Sequence, residues 1–226
     1  MNGKKPNFWI SDKDISKNLL IDKILSELVN DLIVLFSPNS IILDGSFASG
    51  EGSILKEGDK FKILSDFDVV FVKTSRPSRN TIIKLEEKYS EKYSAKFSIY
   101  HNYPEKYLKT SKTIASQRVD YPFISTTSRK HASVVLSGHN YIDEMPDYKL
   151  EDILPEEGIR IINSRLGECL NFVNLKNLFN SKKESSDLNF WLVKIIIACL
   201  EVILVSNKAN HFSYNIKLKN INKLYK

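Results

Sequence analysis

Two aspartates one residue apart, Asp66 and Asp68, head the apolar run Phe67-Asp68-Val69-Val70-Phe71-Val72, and a Gly45-Ser46 pair closes the shorter run Ile41-Ile42-Leu43-Asp44 upstream. Side chains two apart on a strand share a face, with their Cα atoms about 6.5–7 Å apart. Asp66 and Asp68 are therefore predicted to project together, while Phe67 and Val69 turn to the core. Two carboxylates so placed suit a hard cation such as Mg²⁺ (or Mn²⁺), which binds through one or two carboxylates plus substrate phosphates. Two such ions about 3.5–4 Å apart can stabilise the attacking and leaving oxygens of an in-line phosphoryl displacement. Gly45 lets the backbone approach a ligand closely, Ser46 adds a hydroxyl, and amides in a turn leading into a helix suit the charge of a triphosphate. A phosphate cradle followed by a metal site is the pairing that nucleotidyl transfer needs.

Several elements must position these residues. Ser11, Asp12 and Asp14 offer N-caps to an amphipathic helix with apolar residues at Ile15, Leu19, Ile24, Leu25, Leu28, Leu32 and Leu35, stopped by Ser37-Pro38-Asn39. Strands are expected at 41–44, 67–72 and 95–100, with a helix over 80–93 capped by Asn80, and a polar connector through Lys62 after the Gly- and Ser-rich stretch. Helix, strand, strand, helix, strand is an α/β or α+β order. Residues 104–148 read as irregular apart from a strand at 132–136. Pro155, Glu156 and Glu157 then start a helix with Ile159, Ile162, Leu166, Cys169, Leu170 and Val173, and Asp187 starts another running to Val205. No final element is evident in the Lys- and Asn-rich end. The expected architecture is a mixed sheet flanked by helices in residues 1–150, followed by a helical region, 151–226, read as incomplete.

Of 226 residues, 33 are Lys or Arg and 27 Asp or Glu, a formal charge of +6. Five Lys and no acid lie beyond residue 206, leaving residues 1–206 at +1, so the basic balance says little about a nucleic-acid partner. With 42% hydrophobic residues the chain can bury a sizeable core. Cys169 and Cys199 read as buried, reduced thiols. No apolar run reaches the length of a membrane span or has the form of a leader, so no membrane partner and a cytoplasmic location are expected. His101, His131, His139 and His211 lack metal-ligand spacing. Helix and strand packing accounts for most of the Tyr-rich stretch of Tyr89, Tyr93, Tyr100, Tyr103 and Tyr107, with base stacking as the alternative.

Over residues 41 to 72, on Leu43-Asp44-Gly45-Ser46-Phe47-Ala48-Ser49-Gly50-Glu51 followed by Ser65-Asp66-Phe67-Asp68-Val69-Val70, the chain resembles the polymerase β-like nucleotidyltransferase superfamily. That family joins an apolar strand, Gly-Ser, a short helix and Asp-x-Asp on the next strand. The resemblance implies a nucleoside triphosphate with its phosphates on Gly45 and Ser46, metal on the catalytic pair Asp66 and Asp68, and transfer of a nucleoside monophosphate to an acceptor hydroxyl with release of pyrophosphate. It looks weaker over Leu154–Arg165, which is similar to a helical region attached to some microbial members; Lys194 is the cation there expected to reach the triphosphate, against a snorkelling lysine as the plainer reading.

Two departures stand out. Residues 55–64 behave as an insertion between the two halves of the motif. The family's third carboxylate, expected on the following strand, is absent from Ala95-Lys96-Phe97-Ser98-Ile99-Tyr100-His101, where alternation puts Lys96, Ser98 and Tyr100 on one face and leaves Ser98 in the acid's place. Asp44, Glu51 and His101 are the other candidates to compensate. A non-catalytic nucleotide-binding or regulatory module is the competing reading, and a template-free polymerase or cyclic-oligonucleotide synthase a third. The acceptor (sugar phosphate, RNA end, protein hydroxyl or second nucleotide) stays open.

Overall fold

The computed structural model describes residues 9–10, 14–58, 60–108, 111–114, 119–122, 124–172 and 184–225. The chain divides into two compact units, Met1–Thr110 with Ser125–Asp147, and Ser111–Ile124 with Tyr148–Lys226. It is a mixed α/β structure, a four-stranded mixed sheet flanked by helices and followed by a helical C-terminal region.

In the first unit, helix α1 (Ile15–Phe36) starts where Asp14 accepts from the amides of Ser16 and Lys17; Ser11 and Asp12, the other expected caps, lie outside the described residues. The buried stripe is Ile21, Ile24, Leu25, Leu28, Leu32 and Phe36. Ile15, Leu19 and Leu35, assigned to that stripe from the sequence, are exposed. The helix carries apolar residues on more than one side, so periodicity alone does not choose the face that meets the sheet.

After α1 come β1 (Ser40–Asp44), α2 (Gly45–Ala48), β2 (Ile54–Glu57), β3 (Lys60–Ile63), β4 (Phe67–Val72), α3 (Arg79–Tyr93), β5 (Phe97–Asn102), α4 (Pro104–Leu108), β6 (Ser111–Ile114), β7 (Val119–Pro122), α5 (Ile124–Ala132), β8 (Val134–Gly138) and α6 (Tyr141–Glu144). The sheet runs β5-β4-β1-β8, with β4 and β5 parallel and the other pairs antiparallel. Alternation along β4 sends Phe67, Val69 and Phe71 into a core shared with Ile41, Leu43, Phe97, Ile99 and the buried sides of α1 and α3. Val70 and Val72 join Ile42, Tyr107, Ile142 and Met145 in a smaller cluster on the other face.

Three expectations are corrected. The polar connector is a β-hairpin, β2–β3, whose Ile54 and Ile63 enter the main core; its outward Lys56, Glu57 and Lys62 hide the strand pattern. Ser78, not Asn80, occupies the N-cap of α3. In the stretch 104–148 the strand expected at 132–136 is present as β8, but the remainder is not irregular: it holds α4, α5 and α6 and the β6–β7 hairpin, each too short for a clear period.

The second unit packs α7 (Pro155–Phe172) on α8 (Glu184–Ser206), Gly158 lying so close to Val202 that an added Cβ would stand 3.0 Å from its Cγ1. Ile124, Ile153, Ile161, Ala198 and Val205 form its core. The fully buried Glu157 carboxylate accepts from Arg160 Nε at 2.9 Å and from the Ile124 amide at 3.4 Å. Ile159, Leu166 and Leu170, expected on the packed face, are exposed, and Val173 lies outside the described residues. The cysteines are free thiols as expected, but Cys169 is half-buried and Cys199 exposed, because both helices carry apolar residues around more than the packed stripe. The chain end forms a further helix, α9 (Tyr214–Leu224), capped by Ser213 and joined to α8 by Lys217 and Glu201. Among the described residues no helix is long and apolar enough to cross a membrane.

Candidate active site

Asp44, Gly45, Ser46, Asp66, Asp68 and Ser98 lie at one end of the sheet. β1 ends where β4 begins, and Asp44 pairs with Asp68 across the antiparallel ladder. β5 runs parallel to β4, so Ser98 faces Asp68 and Phe97 faces Phe67. Asp44, Asp68 and Ser98 thus form a polar row across three strands, on the face opposite Phe67, Val69 and Leu43. Asp66 lies one residue before β4.

Gly45 turns the chain out of β1 with φ +78°, a conformation that favours glycine. A Cβ there would stand 2.9 Å from Asp68 Oδ2, so the absence of a side chain lets the Gly45-Ser46 backbone lie directly against the Asp68 carboxylate. Phe47, the next residue, is fully buried and fixes this approach: its ring stacks on Phe67 at 4.5 Å, and Phe67 on Phe97 at 4.5 Å. Gly52 clears space for Phe47, since a Cβ would fall 2.2 Å from Cδ1 of that ring. The hairpin insertion is closed at its base by Ser53 and Ser65, whose Oγ accepts from the Ser53 amide at 2.9 Å, so the chain returns to Asp66 in a set position despite the added residues.

The acids differ in their surroundings. Asp44 is four-fifths buried and both its oxygens are engaged: Arg129 Nε of α5 donates to Oδ2 at 3.0 Å, and the Ser133 hydroxyl donates to Oδ1. The Arg129 guanidinium in turn lies 4.8 Å from the centroid of the Tyr107 ring, whose hydroxyl is pushed up by burial and by the charge of Asp44. Asp44 is thereby a brace for the end of β1 rather than a substitute metal ligand. Arg129 and Ser133 were invisible as site residues in the sequence; the one signal was an acid ending a fully buried strand, which demands a partner.

Asp66 receives Lys96 Nζ on Oδ2 at 2.7 Å. Burial works against the Lys96 charge, but the hydrogen bond it donates to Asp66 and the charges of Asp66 and Asp68 outweigh it and hold the ammonium above the usual lysine range. Ser98, nine-tenths buried, occupies the position opposite Asp68. His101 cannot stand in for the missing acid. It pairs with Phe71 in the ladder, three residues or about 10 Å beyond Ser98, and on the core-side face, where its ring lies 5.5 Å from Phe71 and its Nε2 3.0 Å from the Lys73 carbonyl oxygen. Glu51 follows α2 with its amide on the Ser46 carbonyl at 2.8 Å. Most of the tyrosines pack as expected, Tyr89 and Tyr93 around Phe97 and Tyr107 in the core, whereas Tyr100 is exposed on the Ser98 side of β5. Lys194 is half-buried on α8 and belongs to the second unit.

Among the described residues no group of three or more His, Cys, Asp or Glu side chains is placed to hold a metal ion. Comparison of the chain with protein-family models, with curated proteins and with solved structures finds no match.

Proposed function

We propose that the chain is a metal-dependent nucleotidyltransferase of the polymerase β-like kind, moving a nucleoside monophosphate from a nucleoside triphosphate to an acceptor hydroxyl and releasing pyrophosphate. The observation that supports it most is the contact of Gly45 with Asp68, which sets the phosphate-binding turn against the Asp-x-Asp pair although 22 residues of chain separate them. The donor set fits a hard divalent cation. Asp66 already holds a cationic group, the Lys96 ammonium, and two carboxylates suit an ion whose remaining ligands are phosphate oxygens and water. Asp66 and Asp68 would hold Mg²⁺ or Mn²⁺; when bound, the ion supplies charge neutralisation and polarisation at the α-phosphate.

The chain's own residues then position the reactants. The Gly45 and Ser46 amides, the first of a helix and so without intrahelical acceptors, and the Ser46 hydroxyl bind the phosphates, while Lys96 is the cation proposed to meet their charge. Tyr100 offers an exposed ring to the base. The acceptor oxygen bonds to the α-phosphorus, the bond from that phosphorus to the bridging oxygen breaks, and the electron pair leaves with pyrophosphate. With Ser98 in place of an acid the acceptor proton passes to water, which forgoes general-base help of about 10²- to 10⁴-fold. A cytoplasmic setting, where nucleoside triphosphates are plentiful, goes with this reading.

The test is incubation with each α-labelled triphosphate and Mg²⁺ or Mn²⁺, following label transfer and pyrophosphate. Asp66→Ala and Asp68→Ala are each expected to cut transfer about 100-fold or more; unchanged activity in either defeats the proposal. Ser98 favours one second reading, a nucleotide-binding module that has lost catalysis, for which saturable binding without turnover in the parent chain is the signature.

A further inference from the structure

We propose that Lys96 is a resident counter-ion that makes the unloaded aspartate pair a poor site for a free divalent cation, so that metal enters together with the triphosphate. The inference rests on the nucleotidyl-transfer reading of this site. Strand pairing, rather than the reach of a long side chain, sets the contact: with Phe67 opposite Phe97 in the parallel ladder, Lys96 stands beside Asp66 and places Nζ 2.7 Å from Oδ2. The ammonium thus occupies one of the two carboxylates proposed as ligands, Asp66, and lowers the negative charge that a free cation would meet there. Neither neighbour restores the deficit, since Ser98 is neutral and Asp44 is taken by Arg129 and Ser133.

A free divalent ion must displace this ammonium or accept its repulsion. A metal–triphosphate complex does neither, because its phosphate oxygens complete the ion's coordination and receive the displaced ammonium. The pair is suited to exchange: the Lys96 side chain is 64% exposed, and ion pairs at such sites are weak and easily rearranged.

The test is binding of Mn²⁺ alone to the full chain, read from the electron paramagnetic resonance of the free ion at low ionic strength without nucleotide. Lys96→Met is expected to tighten the Kd about five- to tenfold, the order expected for removing one positive charge a few ångströms from a divalent ion in a largely solvated site. Lys96→Gln carries the same expectation, and Lys96→Arg should stay within about twofold of the parent because it keeps the charge. Lys92→Met on α3 removes the same charge beside Glu27 of α1 and should leave the Kd unchanged. If the parent binds Mn²⁺ through Asp66 and Asp68 but Lys96→Met and Lys96→Gln bind no tighter, the inference falls and the functional reading stands. Equal gains in the Lys96→Met and Lys92→Met chains would reduce it to a general charge effect and overturn it. If no chain binds Mn²⁺, with Asp68→Ala indistinguishable from the parent, the metal site itself is lost and the inference with it.

Discussion

One face of the sheet, at the end where β1, β4 and β5 meet, stacks Phe47 on Phe67 and Phe67 on Phe97, all three buried. The other face of the same strand ends carries Asp44, Asp68 and Ser98 in a row, with Asp66 and Lys96 at its margin. Phe67 separates the two aspartates in the chain, so the residues that hold the backbone and the residues that project from it alternate along one strand. An aromatic stack directly beneath the polar side chains holds the backbone that carries them. Stability and chemistry should then respond to different substitutions only one residue apart.

The strongest test of that separation is Phe67→Ala. Removing a fully buried ring that contacts two others is expected to cost about 3–5 kcal/mol, measured by urea unfolding. In contrast Asp68→Asn, which keeps the shape of the side chain and removes only its charge, should change stability by less than about 1 kcal/mol. A loss for Asp68→Asn comparable to that for Phe67→Ala would break the comparison.

Asp44 lies on the polar face yet belongs functionally to the scaffold, which sharpens the division. Asp44→Asn weakens the pair with Arg129 and a hydrogen bond from Ser133 in a site four-fifths buried, and about 1–3 kcal/mol of stability should go with it. A double-mutant cycle with Arg129→Met should return a coupling of about 0.5–3 kcal/mol, as for groups in direct contact. No coupling would remove the brace and return Asp44 to the pool of possible ligands.

What could be read in advance follows the same line. Strands β1 and β4 were legible because short apolar runs rich in β-branched and aromatic residues, bounded by turn residues, are a local signal. The β2–β3 hairpin was not, since Lys56, Glu57 and Lys62 mask the Ile54 and Ile63 that anchor it. Nor was the role of Asp44, because Arg129, its partner, lies 85 residues away and only the folded sheet brings the two together. Lys96 could be placed on the Ser98 face by alternation, but its pairing with Asp66 depends on β5 lying parallel and in register with β4.

The smallest expected effect concerns charges outside both faces of this end, where α3 meets α1. Lys92 and Tyr93 hydrogen-bond Glu27, and Lys88 and Tyr89 hydrogen-bond Asp31. The bond from Lys92, then that from Tyr93, holds the Glu27 carboxyl below its ordinary 4.5; the bond from Lys88, against some burial and aided by Tyr89, holds Asp31 below 3.8. A depressed carboxyl means that the folded chain binds fewer protons than the unfolded one, so the stabilisation is complete above these ordinary values and is lost as the pH falls through the lower folded ones. Both groups are partly solvated, so the effect should be small and should shrink further in salt. Melting temperatures followed downward from about pH 6 should show a decline that is shallower in Glu27→Gln/Asp31→Asn than in the parent. An identical decline in the two chains would put the acid-sensitive carboxylates elsewhere, with the polar row at the sheet end as the first suspect, and the scaffold would then not be independent of the site it carries.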